Sequence, residues 1–128
     1  MSGRDVLLDT NAVLYLLGGR IQFETLPAGV FHISCITEME LLSYPKLKKT
    51  GEQAILRFLK EVDIIDLNSE VRSLAVTLRR RYSLRLPDAI IAATSIVRTA
   101  PLVTFDKTLM KIEGLQVVRL PLSTRRLI

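Results

Sequence analysis

Short apolar runs alternate with longer amphipathic segments along the whole chain. Five of these runs are too short for helices and predict strands: DVLLD (5–9), VFHIS (30–34), VDIIDL (62–67), LVTF (102–105) and LQVVRL (115–120). Each run is almost continuously apolar. Such runs are typical of parallel strands that are covered on both faces of a sheet.

Helices are predicted between the strands: AVLYLL after Asp9-Thr10-Asn11, CITEMELLSY (35–44), 50–61, Ser69 through LAVTLRRRY, and DAIIAATSIV after Pro87. DKTLMK (106–111) predicts a further short turn or helix. This alternation predicts an α/β fold, a single domain over 1–128 with a mainly parallel central sheet of short strands flanked by helices. We expect residues 1–4 and 121–128 to be flexible ends.

The composition fits a compact domain that binds a polyanion. The 128 residues are 48% hydrophobic and 24% charged, with one cysteine and therefore no intrachain disulfide, as expected in the cytoplasm. No apolar stretch reaches about 18 residues, so no membrane span is predicted. Asp9 interrupts the first apolar run and no small-residue cleavage site follows it, so no signal peptide is predicted. The formal net charge of +5 suits a nucleic-acid partner, although many basic proteins have none.

Four acidic residues stand where a site would form. Asp9 and Asp106 end two predicted strands, and ligands of α/β sheets bind outside the carboxyl ends of strands. Asp88 follows Pro87 in the first turn of a helix, and Glu40 interrupts an apolar helix. Taken singly, each acid has a structural explanation, because Asp caps helices and Glu40 can face solvent.

Taken together, the four acids indicate a metal site. Carboxylates gathered at one end of an α/β unit repel one another unless a cation compensates them. Mg²⁺ or Mn²⁺ takes such hard oxygen ligands, and a basic surface around an acidic metal site suits phosphodiester cleavage. We expect the four carboxyl groups to converge on one or two of these ions.

Four segments also carry a family resemblance: LLDTN (7–11), ISCITEMELL (33–42), LRLPDAIIAATS (84–95) and LVTFDKTL (102–109). In this order the sequence resembles a PIN domain, and within that group the small bacterial and archaeal toxin nucleases of the VapC type. The resemblance implies four metal-binding, catalytic acids: Asp9, Glu40, Asp88 and Asp106. It selects Glu40 over Glu38 because Glu40 precedes Leu-Leu, and it adds Asn11 and Thr104 as supporting polar residues.

The fourth segment departs from the family pattern. Many relatives carry Thr-Arg-Asn with an acid three residues after the Asn. Here Asp106 stands at the Asn position and Leu109 at the later one. Asp106 is therefore the one local candidate for a fourth acid.

The resemblance further implies a divalent-metal-dependent endoribonuclease, the toxin of a type II toxin–antitoxin pair, held inactive by a separate antitoxin protein. It also implies a homodimer, which the apolar excess at Leu14, Leu16 and Leu17 supports. The alternatives are an RNA-processing nuclease without a toxin role and a non-catalytic RNA-binding module with a degenerate metal site. A signalling receiver domain fits the order of the motifs poorly.

Two arginine-rich segments are candidates for RNA contacts. The run Arg79, Arg80 and Arg81 either grips RNA phosphates or forms a solvated helix end, where cations are favoured. Arg125 and Arg126 either touch RNA or a partner or lie in a disordered tail.

Overall fold

A computed structural model of the protein describes residues 4–45 and 47–123. Their central sheet has five parallel strands: β1 (Asp5–Leu8), β2 (Val30–Ser34), β3 (Asp63–Ile65), β4 (Leu102–Val103) and β5 (Val117–Val118). The strand order is β3-β2-β1-β4-β5, which places β1 at the centre. The prediction of an α/β domain with a parallel sheet of short strands is confirmed.

Five α-helices connect these strands within the described residues: α1 (Thr10–Leu17), α2 (Cys35–Leu42), α3 (Lys49–Glu61), α4 (Ser69–Tyr82) and α5 (Leu86–Arg98). Each lies where the apolar periodicity predicts a helix. Side-chain caps start three of them: Asp9 caps α1, Ser34 caps α2 and Asn68 caps α4.

The sheet is covered on both faces by aliphatic side chains. One core joins Leu7 and Leu102 to α4 and α5, and the other joins Leu8 and Ile33 to α1, α2 and α3. Helix α5 is buried along Ala89–Ser95, where its small residues let it pack closely on the sheet and on α4. β1 is therefore enclosed on both faces, and this packing fixes the position of the backbone of Asp9, the residue that follows β1.

The differences from the prediction lie at the last two strands and in one loop. β4 ends at Val103, so Asp106 stands three residues beyond its strand rather than at its end. The chain leaves the sheet there because the Asp106 N–H donates to the Thr104 hydroxyl at 3.1 Å instead of to a strand. Short 3₁₀ turns form at Phe23–Thr25, between α1 and β2, and at Leu109–Lys111, within the segment DKTLMK.

A separate group of charged side chains occupies the amino end of the sheet. His32 Nε2 lies 2.9 Å from an Asp5 oxygen, and the Arg98 guanidinium lies 3.7 Å from the other Asp5 oxygen. β1 carries Asp5 at one end and Asp9 just past the other, roughly 13 Å away at the usual rise of a strand. These ion pairs are therefore remote from the predicted site.

Some expectations lie outside the described residues. Arg125, Arg126 and most of the ends expected to be flexible belong to positions 1–3 and 124–128. At the described edge, the Ser123 N–H donates to the Arg20 carbonyl at 2.8 Å. None of the helices in residues 4–45 and 47–123 is long and apolar enough to cross a membrane.

Candidate active site

The four acids line one cavity of about 330 Å³ at the carboxyl end of the sheet. We call this cavity the acidic cleft. Each acid comes from a different element: Asp9 caps α1, Glu40 lies in α2, Asp88 in the first turn of α5, and Asp106 in the loop after β4. Neighbouring parallel strands end at the same edge, which is why segments distant in sequence meet there.

Asp9 is the most deeply placed of the four acids. Only 6% of it is exposed, and one carboxylate oxygen accepts a hydrogen bond from the Ala12 N–H at 2.8 Å. Burial raises the pKa of this carboxyl above its ordinary value of 3.8, and the negative charges of Asp106 and Asp88 raise it further. Hydrogen bonds from Thr104 and Ala12 act in the opposite direction on the same pKa.

Thr104 connects Asp9 to Asp106. It is fully buried, its hydroxyl hydrogen-bonds the Asp9 carboxylate, and its oxygen accepts the Asp106 N–H. The Asp106 carboxylate in turn accepts the Thr108 N–H at 2.9 Å and the Thr108 hydroxyl at 2.7 Å. The loop after β4 is thus held by a chain of hydrogen bonds that starts at the buried acid.

Glu40 is oriented by a threonine that follows the first acid. The Thr10 hydroxyl donates to Glu40 Oε1 at 2.6 Å, and its oxygen lies 3.1 Å from the Thr37 hydroxyl oxygen. α1 and α2 are thereby tied together at the floor of the acidic cleft. Asn11 lines the same cleft from an exposed position in α1.

Asp88 differs from the other three acids in having a cationic partner. Arg85 Nε lies 3.2 Å from Asp88 Oδ2, and the Arg85 side chain is 77% exposed whereas Asp88 is 18% exposed. The hydrogen bond and the charge of Asp88 raise the pKa of the Arg85 guanidinium, with smaller contributions from Glu40 and Asp106. Arg85 therefore lies in the field of three of the four acids.

A second cavity of about 370 Å³ adjoins the acidic cleft. We call it the side groove. Arg85, Asp88 and Asp106 line both cavities, whereas Tyr82 and Thr108 are among the residues that line only the side groove. Of the three arginines predicted to contact RNA, Arg81 is the one next to Tyr82 in the chain. Its guanidinium lies 5.5 Å from the centre of the Tyr82 ring and 3.8 Å from the Glu113 carboxylate. Arg79 and Arg80 are exposed in the last turn of α4.

The donor set of the acidic cleft suits a hard divalent cation, because carboxylate oxygens are what Mg²⁺ and Mn²⁺ prefer. Among residues 4–45 and 47–123, however, no three acidic, His or Cys side chains already stand close enough to form a metal cluster. Each of the four carboxylates instead accepts a hydrogen bond from a donor of its own.

The sequence motifs do not assign two residues that the structure places in the site. Thr10 stands between Asp9 and Asn11 in the motif, and only the structure shows that it orients Glu40. Arg85 is the third residue before Asp88, a spacing at which helical side chains meet, so the sequence does carry a signal for this pair.

The sheet, its order and the acidic cleft define an α/β domain with an acidic site at the carboxyl ends of its strands. The family model for the PIN domain matches residues 6–115, and the chain belongs to this family. Comparison with curated protein sequences finds no match.

Solved structures include similar chains. A chain of a toxin–antitoxin complex from Klebsiella pneumoniae is 33% identical, with a TM-score of 0.72 over 86% of this chain and 94% of that one. VapBC-1 from nontypeable Haemophilus influenzae gives 22% identity and a TM-score of 0.75, covering 90% of this chain and 97% of that chain. VapBC2 from Rickettsia felis, solved with a DNA fragment from its promoter, gives 22% identity and a TM-score of 0.73, covering 90% of this chain and 98% of that chain. The last two similarities concern the fold.

The raised pKa of Asp9 generates a prediction about stability. An acid whose pKa is higher in the folded than in the unfolded chain lowers the stability of the fold once it ionises. In chelator at pH 7, Asp9→Asn should therefore unfold at a higher temperature than the wild type, because Asn keeps the cap and removes the buried charge.

The pH dependence provides the check. The advantage of Asp9→Asn should shrink as the pH falls through the raised pKa towards 3.8, where the wild-type carboxyl becomes protonated in both states. Thermal unfolding followed by circular dichroism across this range measures the difference. A variant that is less stable than the wild type at pH 7 would show that Asp9 is needed as an ionised structural group.

Proposed function

We propose that the protein is a divalent-metal-dependent endoribonuclease that cleaves RNA phosphodiester bonds. One observation carries the proposal: four acids from four separate elements line one cleft of a PIN domain. Purely structural acids would have no reason to share a cavity in which burial and the neighbouring acids oppose the ionisation of Asp9.

In the proposed mechanism, Asp9, Glu40, Asp88 and Asp106 hold Mg²⁺ or Mn²⁺. A metal ion held there would activate a water molecule and neutralise charge that develops on the phosphate. Thr10 orients Glu40, and Thr104 fixes the loop of Asp106 against Asp9. The buried position of Asp9 keeps this carboxylate away from bulk water, which strengthens its interaction with a cation.

The charge distribution supports RNA as the substrate. Four of the 13 acidic residues line the acidic cleft together with Arg85, so the rest of the chain has nine acidic residues and 17 Lys and Arg. A basic surface holds the phosphate backbone and brings it to the acidic centre. Arg79, Arg80 and Arg81 are the proposed contacts beyond the side groove.

We further propose the role of a toxin that a separate antitoxin protein inhibits. The similarity to a chain of the Klebsiella pneumoniae toxin–antitoxin complex supports this role. So do apolar side chains at and just beyond α2, where Met39, Leu42 and Tyr44 are each about half exposed and Tyr44 also lines the acidic cleft. Exposed apolar surface beside a site suits a protein partner.

Metal-dependent cleavage is the direct test of the nuclease. The wild type should cleave members of a panel of labelled RNAs with Mn²⁺ or Mg²⁺ and stop when chelator is added. Asp9→Asn and Asp88→Asn should lower the rate by more than about 100-fold, since even second-sphere changes at metal sites cost roughly 10- to 100-fold.

Glu38→Gln is the matched control for this assay. Glu38 lies in the same helix as Glu40 but does not line the acidic cleft, so its rate should stay within about twofold of the wild type. RNA that binds tightly but is never cut, with or without metal, would favour the RNA-binding module over the nuclease.

Expression in a bacterium separates a toxin from a processing nuclease. Induction of the wild-type chain without an antitoxin should arrest growth, because cleavage of cellular RNA is then uninhibited. Induction of Asp9→Asn to the same protein level should not. Normal growth with an active wild-type enzyme would contradict the toxin role and leave the nuclease assignment intact.

A homodimer is also proposed. Leu17 remains 36% exposed, whereas Leu14 and Leu16 pack partly against the core, so α1 contributes one apolar side chain to a wider surface. The other exposed large apolar residues in the described ranges include Phe23, Val30, Leu56, Val76 and Leu86. Light scattering at micromolar concentration in moderate salt should give twice the mass of the chain, and a monomer would contradict this.

A further inference from the structure

Arg85 occupies a position that helix stability does not explain. It is the N-cap residue of α5, and its side chain makes no capping hydrogen bond. Ser, Thr, Asp and Asn stabilise this position, and a cation opposes the positive end of the helix dipole. A basic side chain at this place in the fold therefore calls for another reason.

The contacts of the acidic cleft point to that reason. Glu40 and Asp106 accept hydrogen bonds from threonine groups, and Asp9 accepts them from Ala12 and Thr104, all of them neutral donors. Within the described residues, Asp88 is the acid of the cleft that forms a salt bridge, at 3.2 Å from Arg85. Arg85 thus supplies a positive charge where the proposed function requires a metal ion.

The position of Arg85 also suits a phosphate contact. Its side chain is 77% exposed and lines both the acidic cleft and the side groove. A strand of RNA that passes from one cavity to the other therefore passes the guanidinium. A guanidinium presents paired donors that match phosphate oxygens, and an exposed side chain can turn without disturbing the core.

We propose that Arg85 alternates between two partners, pairing with Asp88 while the acidic cleft holds no metal and binding an RNA phosphate once a metal engages Asp88. This inference rests on the proposed function. The guanidinium occupies Asp88 Oδ2 and places a positive charge beside this carboxylate, so it opposes the binding of a second cation there. The competition links metal binding to the release of a substrate-binding arginine.

Two variants and a matched control test the competition. Arg85→Gln removes the charge, Arg85→Lys keeps it without the paired donors, and Arg98→Gln removes an arginine from an ion pair at the opposite end of the sheet. Calorimetric titration with Mn²⁺ in the absence of RNA should show about two- to fivefold tighter binding for Arg85→Gln, as expected for an exposed ion pair. Arg98→Gln should match the wild type.

Cleavage kinetics test the second partner. Arg85→Gln should raise KM for RNA more than it lowers kcat, and the slope of log kcat/KM against log salt should become shallower by about 0.7, the value for one phosphate of a single strand. Arg85→Lys should restore the salt slope but only part of the affinity, because a point charge replaces a bidentate donor.

The outcomes separate this inference from the proposed function. A wild type that neither binds Mn²⁺ nor cleaves RNA would overturn both. A wild type that does both, together with an Arg85→Gln variant of unchanged Mn²⁺ affinity or unchanged KM, would overturn the role of Arg85 alone. Equal tightening by Arg98→Gln would also overturn it, since the effect would then come from net charge.

Discussion

The burial of the Asp9 carboxyl beside other acids is the constraint on which the rest of the site depends. Asp9 must ionise to bind a cation, yet it is buried, and Asp88 and Asp106 add negative charge beside it. The fold offsets part of this cost with Thr104 and the Ala12 N–H, which stabilise the charged form. A cation bound beside Asp9 would offset a further part of this cost.

The hydrophobic core explains why the fold tolerates the cost of ionising a buried Asp9. β1 is central in the sheet and covered on both faces by aliphatic residues, so the position of Asp9 is fixed by packing that does not depend on charge. Asp9 also caps α1, which makes the same carboxylate part of the helix start. The structural role of Asp9, which the structure shows, and its proposed chemical role therefore do not exclude one another.

Much of this could be predicted from the sequence, because apolar periodicity and capping residues are local signals. The five strands, the five helices and their parallel arrangement follow from them, and the strand-end rule points to the edge where the acids meet. The length of β4 could not be predicted, because it depends on a hydrogen bond between Thr104 and Asp106 that ends the pairing. LVTF has the apolar character of a longer strand, and only the turn shortens it.

The side-chain partners of the acids were the least predictable feature. Whether Glu40 faces the cleft depends on Thr10, which lies 30 residues away and reaches it only because α1 and α2 are neighbours. The pairing of Arg85 with Asp88 is local in sequence. Its electrostatic environment also includes the negative charges of Glu40 and Asp106, which only the fold brings close to Arg85. A motif gives the identity of the acids, whereas the tertiary structure decides what balances each charge.

The balance of charge also bears on how an acidic centre works in a basic protein. The field of the excess Lys and Arg attracts a polyanion from a distance, while the carboxylates of the acidic cleft repel it at short range. In the proposed function, RNA would therefore meet a favourable surface and an unfavourable centre until cations bind in the cleft. Arg85 lies at the junction of the two cavities. Its positive charge reduces the net negative charge of the acidic cleft and also extends the basic surface to the rim of the cleft. In the proposed function, a divalent metal that replaces Arg85 at Asp88 would make the centre less negative without removing the arginine from the path of the RNA, so substrate attraction and metal loading would reinforce each other.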